Sequence, residues 1–341
     1  MLKARMKYGA VDAKVLAMYG KRISEAEWSR LYDCAGLADI VAVLRGQRGW
    51  AGAVSDLSVS PSAAKLKAAA RNKVFQEYEK LYRFSTMEDR SFILFFLSRV
   101  EYGFILGALR SLYSGEYGLY SLDATEFLKA HSRINVDALS SAVSYPQLLE
   151  AVKGSMFEIT LNSLPAEPET QLPKYRDASI ALENRYYNEV FSYITKKYNG
   201  TGKKKLAELL GTQADILNLV SLLRLLRHFP DSLRNMGQLL VPVSYRLTPA
   251  LLHRLGSVRS EAEAVEILKR SRFAKQFEKY NPDVLDTFFD EAMSDFCSRL
   301  IKMPEPNLCV VAAYLSLSEL ESARLIRLVE AVEYGVKLKN L

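Results

Sequence analysis

The sequence predicts an all-α protein, and three observations lead to that prediction. Apolar residues recur at intervals of three and four along nearly the whole chain, which is the periodicity of helices with one buried side. Alternating runs bounded by tight-turn dipeptides, which would indicate strands, are almost absent. One type of helical segment also occurs three times, roughly 110 residues apart.

The clearest copy of this repeated segment is Gln213–Phe229. Its apolar positions lie along one side of a helix: Ile216, Leu219, Val220, Leu223 and Leu226. Its polar positions are Asp215, Asn218 and Arg224. Similar segments contain Glu101 and Glu321, and in all three a charged residue follows nine positions after the acid. We call these segments the closing helices, because each is predicted to end one copy of a small helical domain.

The spacing of the closing helices predicts three similar domains, at residues 1–120, 121–240 and 241–341. The first domain is predicted to start with a helix near Tyr8–Tyr19. Ser24 and Glu27 form a capping-box pattern, which predicts a second helix that continues to Leu44. A long helix over Pro61–Phe84 and the closing helix Glu88–Tyr113 are predicted to follow.

The second domain is predicted to open with two short helices between Asn135 and Val152, hinged at Tyr145–Pro146. Leu164–Pro173 contains three prolines and predicts a loop. Beyond it the pattern predicts a long helix at Tyr175–Tyr198 and the closing helix at Lys203–Phe229.

The third domain is predicted to begin after Pro242, with Thr248 as an N-cap residue and Pro249 at the first helical position. Its helices are predicted at Ala250–Leu255, Ser260–Ser271, Val284–Ile301 and Leu308–Tyr334. All three domains therefore share one predicted order of short helices, one long helix and one closing helix.

The net charge of +7 is a mild basic bias, and the basic residues are scattered along the chain. Such a bias allows an acidic partner, a nucleic acid or an anionic membrane surface without selecting among them. No segment is expected to cross a membrane, because the most apolar stretch, Phe92–Leu109, is interrupted by Arg99 and Glu101. Three widely spaced cysteines indicate neither a disulfide framework nor a zinc site.

The motifs of catalysis and cofactor binding are missing from the sequence. The segment GTGKK at residues 200–204 lacks both the spacing and the hydroxyl residue of a phosphate-binding loop. The acidic residues Asp290, Glu291 and Asp295 share a helix and are interpreted as a solvated face rather than a magnesium site. We therefore expect no catalytic residue, no cofactor and no metal.

Three segments together resemble one known family. They are the opening Tyr8–Trp28, the helix Asp215–Arg227 with its D-x-x-N pattern and later arginine, and the glutamate-rich C-terminal helix Tyr314–Val336. In their order and spacing they resemble the C subunit of bacterial and archaeal V/A-type ATPases, which is equivalent to the d subunit of eukaryotic vacuolar ATPases. Three positions depart from the family pattern: Lys14, Phe104 and Arg324.

The resemblance implies a funnel of three similar helical domains around a pseudo-threefold axis. It further implies a non-catalytic adaptor of the central stalk, which couples the soluble rotor shaft to the membrane rotor ring. Such an adaptor transmits torque between ATP hydrolysis or synthesis and the translocation of protons or sodium ions. The expected partners are the central-stalk rotor subunits and the proteolipid ring, and the expected location is peripheral, on the cytoplasmic side of the membrane.

On this interpretation the polar residues of the closing helices are candidate contacts with those partners. The candidates are Glu101, Arg110, Asp215, Asn218, Arg224, Glu321 and Arg324. Pairing or capping at the surface of a helix is the alternative role for each. The isolated chain is expected to be a monomer that binds neither nucleic acid nor a small-molecule substrate.

Two other functions remain open at this point. The first is a generic α-helical scaffold or a weakly basic nucleic-acid-binding protein, which should bind with a steep dependence on salt. The second is an all-α metal-dependent enzyme, which would need acidic residues from two helices to meet in one pocket.

Overall fold

The computed structural model describes residues 2–115, 125–229, 239–278, 280–303 and 307–336. Within these ranges the chain forms sixteen α-helices and one isolated β-bridge, between Ala166 and Pro173, so the all-α prediction is confirmed. The helices are α1 (Leu2–Tyr19), α2 (Glu25–Tyr32), α3 (Leu37–Gly46), α4 (Ala63–Phe84), α5 (Met87–Ser114), α6 (Glu126–His131), α7 (Val136–Ser140), α8 (Tyr145–Ala151), α9 (Glu158–Asn162), α10 (Tyr175–Lys197), α11 (Gly200–His228), α12 (Pro249–Gly256), α13 (Glu261–Lys269), α14 (Ala274–Phe277), α15 (Leu285–Ile301) and α16 (Leu308–Glu333).

One order of elements occurs three times along the chain. Two short helices are followed by a short helical turn, then by a long helix and a closing helix. The three sets are α2, α3, the 3-10 turn Ala51–Ala53, α4 and α5; α7, α8, α9, α10 and α11; and α12, α13, α14, α15 and α16. The predicted closing helices are thus α5, α11 and α16.

The contacts within the chain define two compact units. The first unit consists of Met1–Ala178 and Cys297–Lys339, so it contains both the first part of the chain and the last closing helix. The second unit is Ser179–Phe296. The division into three domains at residues 1–120, 121–240 and 241–341 stays a prediction.

The predicted N-caps of two short helices are present. The Ser24 hydroxyl accepts the backbone N–H of Glu27, and the Glu27 carboxylate accepts the backbone N–H of Ser24 at 2.7 Å, which completes a capping box. Thr248 caps α12 by accepting the N–H of Leu251, and Pro249 occupies the first helical position. These bonds satisfy backbone donors that the first turn of a helix leaves without an intrahelical partner.

One predicted helix is broken in the structure. The capping-box pattern predicted a single helix from Ser24 to Leu44, whereas α2 ends at Tyr32 and α3 begins at Leu37. The reason is local, because Gly36 adopts an extended backbone and its N–H donates to the carboxylate of Asp39, three residues into the next helix. A glycine in this position begins a new helix rather than continuing the old one.

The core of the first unit forms around α4 and α16, which pack along each other. Both tryptophans, Trp28 and Trp50, are buried in the cluster that joins these helices to α2 and α3. Ser322 of α16 donates its hydroxyl to the carbonyl of Ala70 in α4 at 2.8 Å. Small residues at that point bring the two helix backbones close together, which favours a tightly packed core.

Two closing helices, α5 and α11, are long and apolar enough to cross a membrane by length and composition alone. The helix α5 passes this test although Arg99 and Glu101 lie in it, so their presence does not exclude a span by length and composition. In the most apolar window of each helix, 67% of α5 and 78% of α11 is buried inside the protein. The apolar side chains of both helices are therefore engaged in packing within the chain.

Candidate functional site

Each closing helix carries one buried carboxylate near its middle. Glu101 lies in α5, Asp215 in α11 and Glu321 in α16, and their exposed fractions are 2%, 0% and 3%. A buried carboxylate is costly unless hydrogen-bond donors surround it. The groups that donate hydrogen bonds to each carboxylate show which loop the helix binds.

Glu101 binds the loop that leads into α7. One of its carboxylate oxygens accepts the hydroxyl of Ser132 and the backbone N–H of Arg133, both at 2.8 Å. Asn135, two residues later, caps α7 by accepting the N–H of Ala138. The carboxylate therefore fixes the loop immediately before a capped short helix.

Asp215 binds the corresponding loop before α12. Its two oxygens accept three consecutive backbone N–H groups, from Tyr245 at 2.9 Å, Arg246 at 2.5 Å and Leu247 at 3.2 Å. Thr248, the next residue, is the N-cap of α12. Gly211, one turn earlier in α11, permits this approach, since a Cβ there would lie 2.5 Å from the Cβ of Tyr245.

Glu321 binds the loop that precedes α2, at the other end of the chain. It accepts the backbone N–H of Ile23 at 3.3 Å and the indole N–H of Trp50 at 2.8 Å. The Nε atom of Arg22 lies 3.0 Å from the same carboxylate, though not in line for a hydrogen bond. Ile23 directly precedes Ser24, the N-cap of α2.

The three loops share a short sequence pattern that was not predicted. Each has an arginine, then isoleucine or leucine, then the N-cap residue, as R-I-S at 22–24, R-I-N at 133–135 and R-L-T at 246–248. These triplets recur roughly 110 residues apart, which is the spacing already seen in the closing helices. A comparison of the chain with itself at that offset would have found them.

Burial dominates the electrostatics of two of these carboxylates. It raises the pKa of Glu101 and of Asp215, while the backbone N–H groups that they accept lower it in part. Burial also raises the pKa of Glu319, two residues before Glu321 in α16, against the opposing effect of Arg99 at 3.3 Å. These groups therefore bind a proton more readily in the folded chain than in water.

The other predicted site residues occupy different environments. Asn218 is buried in α11 and both donates to and accepts from the backbone of Val241, at 3.0 and 2.8 Å. Arg110 is exposed and donates to the hydroxyl of Tyr175 at 3.0 Å. Arg224 is exposed on α11.

Arg324 is half-buried and stands over two aromatic rings. Its guanidinium lies 4.2 Å from the ring centre of Trp28 and 5.3 Å from that of Tyr32, in cation–π geometry. Phe104, at the same offset from the acid of its own helix, is buried against Phe75. The position three after the acid thus makes a different local contact in each closing helix, which accounts for the residues found at Phe104 and Arg324.

The seven candidates occupy several different local environments, four of them in the first unit and three in the second. Four of them are buried, namely Glu101, Asp215, Asn218 and Glu321, while Arg110 and Arg324 also have contacts within the chain. The role of all seven as partner contacts stays a prediction. Over the part of the chain that the structure describes, no group of three or more His, Cys, Asp or Glu residues is placed to hold a metal ion. Asp290, Glu291 and Asp295 form no such group there.

Repeated helical units whose long helices hold neighbouring loops through buried carboxylates define a class of all-α repeat protein. Over residues 11–339 the chain matches the family model described as ATP synthase (C/AC39) subunit. It belongs to that family, which comprises the C subunits of V/A-type ATPases and the d subunits of V-type ATPases. None of the curated proteins compared with the chain matches it significantly.

Proposed function

We propose that this chain is the central-stalk adaptor of a V/A-type ATPase, which joins the soluble rotor shaft to the proteolipid ring in the membrane. In this role it transmits torque between ATP hydrolysis or synthesis and ion translocation. The family match over residues 11–339 carries the proposal. The adaptor would be peripheral to the membrane, on its cytoplasmic side.

The three buried carboxylates support a torque-transmitting role. Each ties the middle of a long helix to the loop that begins a different set of helices, through bonds of 2.5 to 3.3 Å. Hydrogen bonds to a charged acceptor are stronger than neutral ones, and in a buried site they resist rearrangement. A connection that carries torque has to deform little, and such bonds provide stiffness.

The C-terminal ends of the closing helices are the surfaces that we assign to the partners. An exposed aromatic residue lies at the end of each: Tyr113 after α5's Arg110, Phe229 after α11's Arg224, and Tyr334 after α16. Aromatic and arginine side chains are enriched among residues that dominate interface energies. On this assignment Arg110 and Arg224 contact a partner, while the buried acids position the helices that carry them.

We further propose that the chain has no catalytic site of its own. The sequence contains no phosphate-binding loop of the P-loop type, and ATP hydrolysis would belong to other subunits of the complex. The purified chain should therefore show no ATP hydrolysis above a buffer blank.

Co-purification tests the proposal directly. A tagged copy should recover the rotor-shaft subunits and the proteolipid ring from membranes solubilised in a mild detergent, and nuclease treatment should leave that recovery unchanged. Recovery of neither partner would refute the adaptor function. Recovery of nucleic acid with a steep salt dependence would instead favour the nucleic-acid-binding alternative.

A further inference from the structure

A basic cavity lies within the first unit. Its volume is about 150 Å³. Six basic side chains line it: Lys14, Lys21, Arg22, Arg48, Lys73 and Lys80. They come from α1, from the loops after α1 and α3, and from α4, so the fold brings together charges that are scattered in the sequence.

Acidic groups balance only part of this charge. Glu77 lies 3.2 Å from Lys80, and Glu321 lies 3.0 Å from Arg22. Six basic side chains and these two carboxylates leave an excess of four positive charges around one small cavity. Clustered cations repel one another, so such a site is stabilised by an anion.

Lys73 lies at the wall of the cavity and makes two ion pairs there that are longer than a hydrogen bond. Its side chain is buried, lines the cavity and lies over the ring of Trp50 at 4.7 Å. The nearest oxygens of Glu77 and Glu321 are 3.7 and 4.0 Å from its ammonium, which is longer than a hydrogen bond. A buried ammonium carries three donors, and a cavity beside it is where an acceptor would sit.

The wall of the cavity is a built structure rather than a chance gap. Gln47 is buried, and its amide donates to the carbonyl of Lys21 at 2.7 Å while accepting the N–H of Gly49 at 2.6 Å. A Cβ on Gly49 would lie 2.2 Å from the Lys21 carbonyl oxygen, so the close approach of the two loops requires glycine. These contacts hold Lys21 and Arg48 at the edge of the cavity.

We propose that this cavity binds a compact phosphate-bearing anion of one or two phosphate groups. The charge fits, because two phosphate groups carry roughly −3 to −4 at neutral pH. The size fits as well, since a cavity of about 150 Å³ holds a molecule the size of a six-membered ring. A helix of a protein partner, about 10 Å across, is too wide to enter.

Isothermal titration of the full-length chain with inorganic pyrophosphate tests the proposal, with chloride at equal ionic strength as the reference. Saturable binding of one equivalent is expected. The double variant Lys21→Glu with Arg48→Glu should weaken that binding by roughly tenfold or more, because each loses a charge-assisted contact. Both side chains are exposed, so circular dichroism and the melting temperature should stay unchanged.

The matched control is Arg30→Glu with Lys65→Glu. It makes the same change in net charge at two exposed positions of the same unit that do not line the cavity. Its affinity for pyrophosphate should differ by no more than about twofold. Absence of saturable binding, or an equal loss in both double variants, would overturn the proposal.

A second measurement does not depend on variants. Pyrophosphate should protect Lys14, Lys21 and Lys80, which line the cavity, from acetylation, as read by mass spectrometry, and should leave Lys65 unprotected. Unchanged acetylation of all four lysines would contradict binding in this cavity.

Two further arms identify where the phosphate comes from. The chain would be assigned a lipid headgroup if it binds phosphatidylcholine vesicles that contain phosphatidylinositol bisphosphate but not vesicles that contain phosphatidylserine. Pyrophosphate should then compete with the vesicles for binding. Binding of pyrophosphate without vesicle binding would assign a soluble phosphate. A glutamate-rich peptide that displaces pyrophosphate at equal charge concentration would show an acidic protein segment instead and refute the phosphate assignment.

Discussion

Replacing Asp215 by asparagine should destabilise the second unit by about 2–4 kcal/mol. The carboxylate accepts the N–H groups of Arg246 and Leu247 on one oxygen and that of Tyr245 on the other. An asparagine amide has one oxygen, so it can still accept the N–H groups of Arg246 and Leu247 but turns its NH₂ group towards the N–H of Tyr245. The lost bond leaves a buried N–H without an acceptor, which costs about 1–3 kcal/mol.

The two retained bonds also weaken. A charged acceptor contributes about 1 kcal/mol more per bond than a neutral one, which adds about 2 kcal/mol to the cost. Asparagine no longer has to bury a charge, and that relief offsets part of the loss. The net value of about 2–4 kcal/mol lies within the range in which a broken buried network destabilises a protein.

Guanidinium denaturation followed by circular dichroism measures the change, and hydrogen exchange locates it. The amides of Tyr245, Arg246 and Leu247 should lose protection, because the carboxylate is their acceptor. The matched control is Glu208→Gln, which removes a charge from the same helix at a partly exposed ion pair with Arg246. That variant should cost no more than about 1 kcal/mol. An Asp215→Asn variant with an unchanged midpoint and protected amides would refute the reasoning.

Three further predictions concern the other closing-helix residues. Because burial raises the pKa of Glu101, the stability that this group contributes is fully present below its unfolded value of 4.5 and is lost as pH rises through the folded pKa. The free energy of unfolding of the unaltered chain, relative to that of Glu101→Gln, should therefore decrease as pH rises. Denaturation at several pH values measures this difference. Gly211→Ala should lower the melting temperature although alanine favours helix, because the added Cβ would lie 2.5 Å from the Cβ of Tyr245; an unchanged or higher value would contradict this. Arg224→Glu should weaken binding to purified shaft subunits by roughly tenfold without changing helical content. The control Lys204→Glu changes an exposed residue of the same helix and should leave that binding unchanged. Equal effects of the two variants would reject the assigned surface.

The order of helices could be predicted because its signals are local. Periodicity, the capping residues Ser24 and Thr248, and the proline-rich loop act within one or two turns, and the long helices fall within a few residues of their predicted ends. The helices α6, α9 and α14 were not predicted, because four to six residues are too short to show a helical period. Tertiary packing rather than local pattern stabilises such short helices.

The candidate site could be predicted only in part. Spacing identified Glu101, Asp215 and Glu321 as equivalent positions, but their burial and their loop partners depend on contacts between distant segments. The cavity was missed for the same reason, since Lys14, Arg48 and Lys73 come from three separate segments and were interpreted as scattered charge. A local sequence pattern predicts the helix on which a residue lies, whereas the tertiary fold determines which charged side chains lie close together.

The position in the sequence of the loop that Glu321 binds is relevant to the expected pseudo-threefold arrangement of helical domains. Glu101 and Asp215 each bind a loop about 30 residues further along the chain, at Arg133 and Arg246. Glu321 instead binds a loop earlier in the chain, through the N–H of Ile23 at a sequence separation of 298 residues. The closing helix α16 thus holds the loop that precedes α2, a contact that a pseudo-threefold arrangement would need. We infer that cutting this contact, with Glu321→Gln, should loosen both ends of the chain together, so that amides of Ile23 and of α16 gain hydrogen exchange in parallel. Independent exchange of the two segments would show that the contact does not connect them.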